Sequence, residues 1–203
     1  MRYPKLRELK EAVKSLISRP YTNDFPRKPH KPFERFRGKP EYNQDHCMGC
    51  TACVQVCPAR ALEFQDEVVS GKGKRTLTIR WDICIFCGQC QANCPTEKGI
   101  VLSNDFDLAK TEDRKAMRQK IDKELLLCEC CSEIIAPKDQ ILWVARKIGP
   151  LVFSNASLML FYLGNLGLSG QDIRNHKQEG ELKRADRIKV LCPRCRREAV
   201  LKS

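Results

Sequence analysis

The sequence predicts an α+β fold, and three observations carry that expectation. A twelve-residue cysteine run occurs twice, the copies starting 37 residues apart. Between them, two short stretches alternate apolar and polar residues in the manner of strands, and helical apolar spacing recurs on either side of this region. Thirteen cysteines among 203 residues make cysteine chemistry the organising feature of the chain.

The first run reads Cys47-Met-Gly-Cys50-Thr-Ala-Cys53-Val-Gln-Val-Cys57-Pro58 and the second Cys84-Ile-Phe-Cys87-Gly-Gln-Cys90-Gln-Ala-Asn-Cys94-Pro95. Both are C-x2-C-x2-C-x3-C-P, the run of bacterial ferredoxins that hold two 4Fe–4S clusters. Three cysteines at that spacing wrap one face of a cubane, with Gly49, Thr51 and Ala52 small enough to let backbone amides approach the sulfurs. The fourth is expected to begin a short helix that points away, so that it serves the other cluster. Cys47, Cys50, Cys53 and Cys94 are therefore expected on one 4Fe–4S cluster, and Cys84, Cys87, Cys90 and Cys57 on the other. Zinc knuckles at the same eight positions would leave the third cysteine and the x3-C-P ending without a role. His46 adjoins Cys47 but is expected beside the site rather than in it, because four cysteines already fill the coordination.

Between the runs, residues 62–65 and 77–83 alternate as strands around a hairpin turn at residues 70–74. Leu62, Phe64, Leu77, Ile79, Trp81, Ile83, Ile100 and Leu102 are the expected apolar shell that keeps water from the clusters. The first globular unit is thus placed at residues 46–103.

Ahead of it, residues 1–45 are expected to be a partner-binding arm. Leu6, Leu9, Val13, Leu16 and Ile17 recur at helical spacing, and Arg19-Pro20 ends that amphipathic helix. Five prolines and seven Lys or Arg follow over residues 19–45, a composition for extended chain. The first residues are charged and lack an apolar core, so no secretory leader is expected. A reduced compartment follows, in which clustered cysteines bind metal rather than form disulfides.

Residues 104–127 are expected to form a linking helix, with Met117, Ile121 and Leu125 spaced by four. Residues 128–203 are expected to be a helical unit closed by a tetracysteine knuckle. Its ligands are Cys128 and Cys131 from Leu127-Cys-Glu-Cys-Cys-Ser-Glu133, and Cys192 and Cys195 from Leu191-Cys-Pro-Arg-Cys195. Two C-x2-C pairs make a tetrahedral thiolate site for one zinc or, alternatively, a single rubredoxin-like iron. Cys130 is left without a role. The uncharged stretch at residues 148–171 is broken by Pro150 and several glycines, with no apolar run longer than Leu158 to Leu163. It is expected to be a buried helix rather than a membrane span.

The formal charge of +12 raises the question of a nucleic-acid partner. The excess sits at the ends: twelve Lys and Arg against six Asp and Glu in residues 1–45, and eight against two in residues 183–203. Each four-thiolate site adds about −2 and offsets part of it. No aromatic interleaving accompanies Arg194, Arg196 and Arg197, so a nucleic-acid-binding iron–sulfur or zinc-ribbon protein is the weaker alternative. No nucleic acid is expected. There is no Gly-rich phosphate loop, Ser/His/Asp set or nucleotide fingerprint, so no catalytic residue is expected either.

Beyond the ferredoxin runs, the lead-in Phe36-Arg-Gly-Lys-Pro-Glu-Tyr-Asn43 and the closing pair at Cys192 and Cys195 narrow the likeness. With them, the chain resembles the two-cluster iron–sulfur subunit of formate hydrogenlyase and of energy-converting membrane-bound nickel–iron hydrogenases, related to the ferredoxin-like subunit of respiratory complex I. Its Cys128–Cys131 spacing and the 60-residue insert after it depart from that pattern. The resemblance implies a non-catalytic electron-transfer subunit of an oxidoreductase complex. Its partners would be hydrogenase small and large subunits and a ferredoxin-like or formate-dehydrogenase-side donor. Its place would be peripheral, on the cytoplasmic face of the membrane, with membrane contact indirect or through the N-terminal helix. A free ferredoxin-type carrier is the alternative, and the long basic arm argues against it.

Overall fold

The computed structural model describes residues 5–20, 22–113, 116–168 and 188–201. The first four residues, residues 169–171 of the uncharged stretch, and the basic residues Lys183, Arg184, Arg187 and Lys202 lie outside the described residues. The chain divides into two compact units, Met1–Phe36 and Arg37–Ser203.

In the first unit, helix α1 spans Leu6–Ile17. The Lys5 N–H donates to Glu8 Oε2 at 3.1 Å while the Glu8 N–H donates to the Lys5 carbonyl, which closes the first turn. None of its residues is buried, and its apolar row of Leu6, Leu9, Val13, Leu16 and Ile17 is exposed.

The second unit begins at Arg37, ahead of the expected boundary at 46. The reason is backbone pairing. Strand β1, Pro40–Tyr42, runs antiparallel to β4, Ile100–Leu102. Gly38 extends the contact by donating its N–H to the Ser103 carbonyl at 2.9 Å. A Cβ at Gly38 would run into the backbone of Ser103 and Asp105, so only glycine allows this approach. Of the expected arm, residues 37–45 therefore belong to the cysteine-bearing unit.

A four-stranded antiparallel sheet supports the rest, in the order β2 (Leu62–Val69), β3 (Lys72–Arg80), β5 (Arg118–Leu127) and β6 (Ile134–Pro137). The β2–β3 hairpin turns through Ser70 and Gly71, both at positive φ, the two-residue geometry that matches strand twist. Strand β5 overturns the expected linking helix at 104–127. Met117, Ile121 and Leu125 satisfy a helical spacing of four, but Ile121, Lys123 and Leu125 also alternate with exposed residues at period two. Pairing with β3 over Gly73–Leu125 through Arg80–Arg118 decides the matter, because β3 would otherwise be an open edge.

One-turn helices α2 (Ala52–Gln55) and α3 (Gln89–Ala92) carry the third cysteine of each run. The fourth cysteine was expected to begin such a helix. Instead each helix ends before it, because Pro58 and Pro95 disfavour helical geometry in the residue ahead of them. The core beneath is Leu62, Leu77, Ile79, Ile100, Ile121 and Tyr42, packed with Cys53 and Cys90. Of the expected shell, Phe64 and Ile83 are exposed, while Trp81 packs on the core's edge. Phe64 lies on the edge strand β2 and is covered on one side by the Arg75 guanidinium, 5.0 Å from its ring centroid.

After β6 come α4 (Lys138–Ile148), a 3-10 turn (Gly149–Ser154), α5 (Ala156–Asn165) and α6 (Pro193–Leu201). The uncharged stretch thus becomes a 3-10 turn and a helix that buries Val152, Ser157 and Phe161. Among the described residues, no helix is long and apolar enough to cross a membrane.

Candidate iron–sulfur and metal centres

The repeat in sequence is a repeat in backbone. In the first run Gly49 (φ 73) and Thr51 (φ 63) are left-handed, and in the second so are Phe86 (φ 53) and Gly88 (φ 79), each pair related by the 37-residue offset. One glycine in each run lowers the cost of this geometry. The equivalent turns aim equivalent amides: Gly49 N–H reaches Cys47 and Phe86 N–H reaches Cys84.

These loops frame two separate cavities. One is lined by Cys47, Cys50, Cys53 and Cys94, with Tyr42, Leu77 and Ile100 among its walls. The other is lined by Cys57, Cys84, Cys87 and Cys90, with Pro40, Leu62 and Leu102. Cys94 lines the cavity of the first run and Cys57 that of the second. Gly99 completes the first cradle: a Cβ there would lie 2.7 Å from Thr96 Oγ1 and 3.1 Å from Cys94 Sγ. Four sulfurs and an otherwise largely apolar wall fit a cubane cluster in each cavity.

The cysteines sit in different fields. Burial pushes the Cys53 thiol up to about 12 and the Cys90 thiol up to about 11. Cys47 is raised chiefly by burial, against the Gly49 amide and the Lys123 charge. For Cys94 burial also acts upward, but the Thr96 hydroxyl and the Thr96, Gly99 and Ile100 amides outweigh it and the thiol is lowered. Buried thiols of this kind ionise when a cation takes the place of their protons.

Several residues that hold the first site were not legible from cysteine spacing. Arg75 makes a bidentate pair with Asp66, both bonds at 2.7 Å, and donates Nη1 to the Gly49 carbonyl at 2.9 Å. It fastens the cysteine loop to the β2–β3 hairpin. Tyr42 Oη lies 3.6 Å from Cys53 Sγ, and Thr96 Oγ1 lies 3.3 Å from Cys94 Sγ. Lys123, only 6% exposed, points inward from β5 and donates to Asp139 Oδ2 at 2.9 Å and to the Gln44 carbonyl. A period-two reading of residues 118–127 would have placed Lys123 on the inner face. His46 is exposed and contacts Asn43.

The C-terminal set is built differently. The sulfurs of Cys128, Cys131, Cys192 and Cys195 all lie within 4.8 Å of one another, a group that can hold a metal ion. Cys128 follows β5 directly, and its amide donates to the Glu133 carbonyl at 2.9 Å, closing the turn. Glu129 and Val190 exchange hydrogen bonds across the 60-residue gap: Glu129 N–H to the Val190 carbonyl at 2.9 Å, and Val190 N–H to Glu129 Oε2 at 3.0 Å. Ser157 of α5 accepts from Leu191 N–H and donates to the Lys189 carbonyl. Pro193 opens α6, where the missing N–H costs nothing. Burial acts upward on Cys128, but the amides of Cys131, Cys192 and Cys130 outweigh it and bring the thiol down to about 7. Burial, with hydrogen bonds from neighbouring thiols, raises Cys195. Cys128, Cys192 and Cys195 are buried, Cys131 is exposed, and Cys130 is exposed and outside the four-sulfur group.

Residues 29–98 match the family model for the 4Fe-4S dicluster domain. The chain is 37% identical over 95 residues to NAD(P)H-quinone oxidoreductase subunit I of Gloeobacter violaceus, covering 45% of this chain and 44% of that protein. Against formate hydrogenlyase subunit 6 of Escherichia coli it is 29% identical over 125 residues, covering 59% and 64%. Against NADH-quinone oxidoreductase subunit I 2 of Geobacter metallireducens it is 29% identical over 126 residues, covering 58% and 95%. Its homologues thus include subunits of the quinone oxidoreductase and formate hydrogenlyase kinds that the lead-in and the cysteine runs resemble, although the chain spans only 44% and 64% of the first two.

Proposed function

We propose that the chain is a non-catalytic electron-transfer subunit that relays electrons through two 4Fe–4S clusters within a membrane-associated complex of the formate hydrogenlyase or hydrogenase type. The observation that carries this reading is the pair of cavities, each with a complete set of four cysteines and each completed by a cysteine of the other run. Cys47, Cys50, Cys53 and Cys94 ligate one cluster, and Cys84, Cys87, Cys90 and Cys57 the other. The clusters, once bound, supply one-electron couples. The chain contributes the sulfurs, amides aimed at them, and an apolar wall of Leu62, Leu77, Ile79 and Ile100 that keeps water out. Exchange of the fourth ligand locks the two halves together.

Cys128, Cys131, Cys192 and Cys195 hold one zinc as a structural staple. The partners are hydrogenase subunits and an electron-donor subunit, and the chain is peripheral on the cytoplasmic side. The test is anaerobic purification with its native partners, followed by metal analysis and EPR of the reduced protein. The reading expects hydrogenase subunits to co-purify, about eight irons and one zinc per chain, and two interacting 4Fe–4S signals. Isolation as a monomer without partners would overturn the complex. About nine irons and no zinc would overturn the staple.

A further inference from the structure

Two sites made by one repeat ought to have similar potentials, yet their surroundings differ at equivalent places. Tyr42, whose hydroxyl contacts Cys53, corresponds under the 37-residue offset to Ile79, which has no donor. Thr96, whose hydroxyl contacts Cys94, corresponds to Ala59, which lines the second cavity where Thr96 lines the first. Among the described residues, the hydrogen bond to a second-site sulfur from beyond its own loop is a backbone one, Ala61 N–H to Cys57 at 3.2 Å.

The third difference lies outside the repeat. Strand β5 has no counterpart in it, and it places Lys123 against the first loop, where a Cβ on Gly49 would lie 3.3 Å from Lys123 Cβ. The Lys123 side chain is 6% exposed while its partner Asp139 is 50% exposed, so solvent screens the carboxylate far more than the ammonium. Arg37, near the second site, bonds the Cys87 carbonyl at 3.2 Å but is exposed and screened. Arg75, near the first loop, is neutralised by Asp66.

We infer that the site formed by Cys47, Cys50, Cys53 and Cys94 holds the higher-potential cluster of the pair, and that Lys123, Tyr42 and Thr96 set the difference. Reduction adds negative charge, and a buried cation and hydroxyl donors to sulfur stabilise the reduced form. An electron shared by the two sites then rests at the first. This inference rests on the two-cluster reading above.

The test is an EPR-monitored redox titration of the full chain, with Cys53→Ser used first to assign the first-site signal. Lys123→Met is expected to lower the first-site midpoint by at least tenfold in the reduction equilibrium, about 59 mV for one electron, and to move the other by much less. Lys123→Arg keeps the charge and leaves the order of the two potentials unchanged. Tyr42→Phe and Thr96→Val act on different sulfurs of the same site and lower the same signal by smaller amounts, so the inference stays testable if Lys123→Met does not fold. A first-site midpoint below the second in the unmodified chain overturns this inference alone. So do substitutions that leave the first-site signal unmoved, raise it, or shift both signals equally. A chain that binds fewer than two 4Fe–4S clusters overturns the relay itself.

Discussion

Three of the four cysteines in the first cavity come from one seven-residue loop, whereas the C-terminal four come from two pairs with 60 residues between them. The loop carries its own geometry, with left-handed Gly49 and Thr51 turning its amides toward sulfur. The C-terminal group borrows its geometry from elsewhere: the end of β5, the Glu129–Val190 exchange, and Ser157 of α5 holding the chain ahead of Cys192. A local site is specified by spacing. A non-local site is specified by everything that brings its halves together, and a metal bound there would become part of what keeps them there.

The sharpest way to break this comparison is to remove single sulfurs. Cys94→Ser is expected to remove the cluster of the first run, cutting iron by about half, while zinc and the other cluster stay. Retention of both clusters would show that the ligands are not exchanged between runs. Cys192→Ser should abolish the C-terminal metal and leave the irons in place, and Cys130→Ser should cost no metal. Elemental analysis of the three proteins decides all three outcomes.

Next in size is Arg75→Met, which strands Asp66 and frees the Gly49 carbonyl. Breaking a largely buried ion pair from one side costs about 3 kcal/mol, read as a lower denaturant midpoint. Gly73→Ala tests how tightly β5 is fitted to β3. Its new Cβ would stand 2.8 Å from Leu125 Cβ, and overpacking of that kind costs about 1–3 kcal/mol.

The smallest effect is on pH. The metal-free Cys128 thiol is lowered to about 7, and the metal-bound form carries no proton on it. Metal affinity at the C-terminal site is therefore expected to fall as pH drops through about 7, by roughly tenfold per unit for that one proton. Competition with a chromophoric chelator at a series of pH values measures the slope.

The same contrast explains what could be read in advance. The repeated cysteine runs and the β2–β3 hairpin follow from spacing and short-range turn chemistry. Strand β5 did not, because Ile121 and Leu125 fit a period of four as well as a period of two. Only pairing with β3, far off in sequence, separates the two readings. Lys123 was hidden by the same ambiguity: on a helix it would be one more solvated charge, and on β5 it faces inward. Pro40–Tyr42 looked like the end of an arm for a similar reason, since its partner β4 lies about sixty residues on. Tyr42 and Thr96 acquire their roles only once those pairings bring them to sulfur.

The chain has two tryptophans, and the fold has put one in each region. Trp81 packs on the edge of the ferredoxin-like core, with Nε1 donating to the Pro40 carbonyl at 2.8 Å. Trp143 lies on α4, half-buried beneath Lys147. Bound iron–sulfur clusters absorb light where indole emits, so Trp81 is a fluorophore beside its own quencher. The protein is already labelled for optical work: Trp143→Phe leaves an emitter on the edge of the ferredoxin-like core, and Trp81→Phe leaves one on α4, so the two report filling of the cluster cavities from different sides.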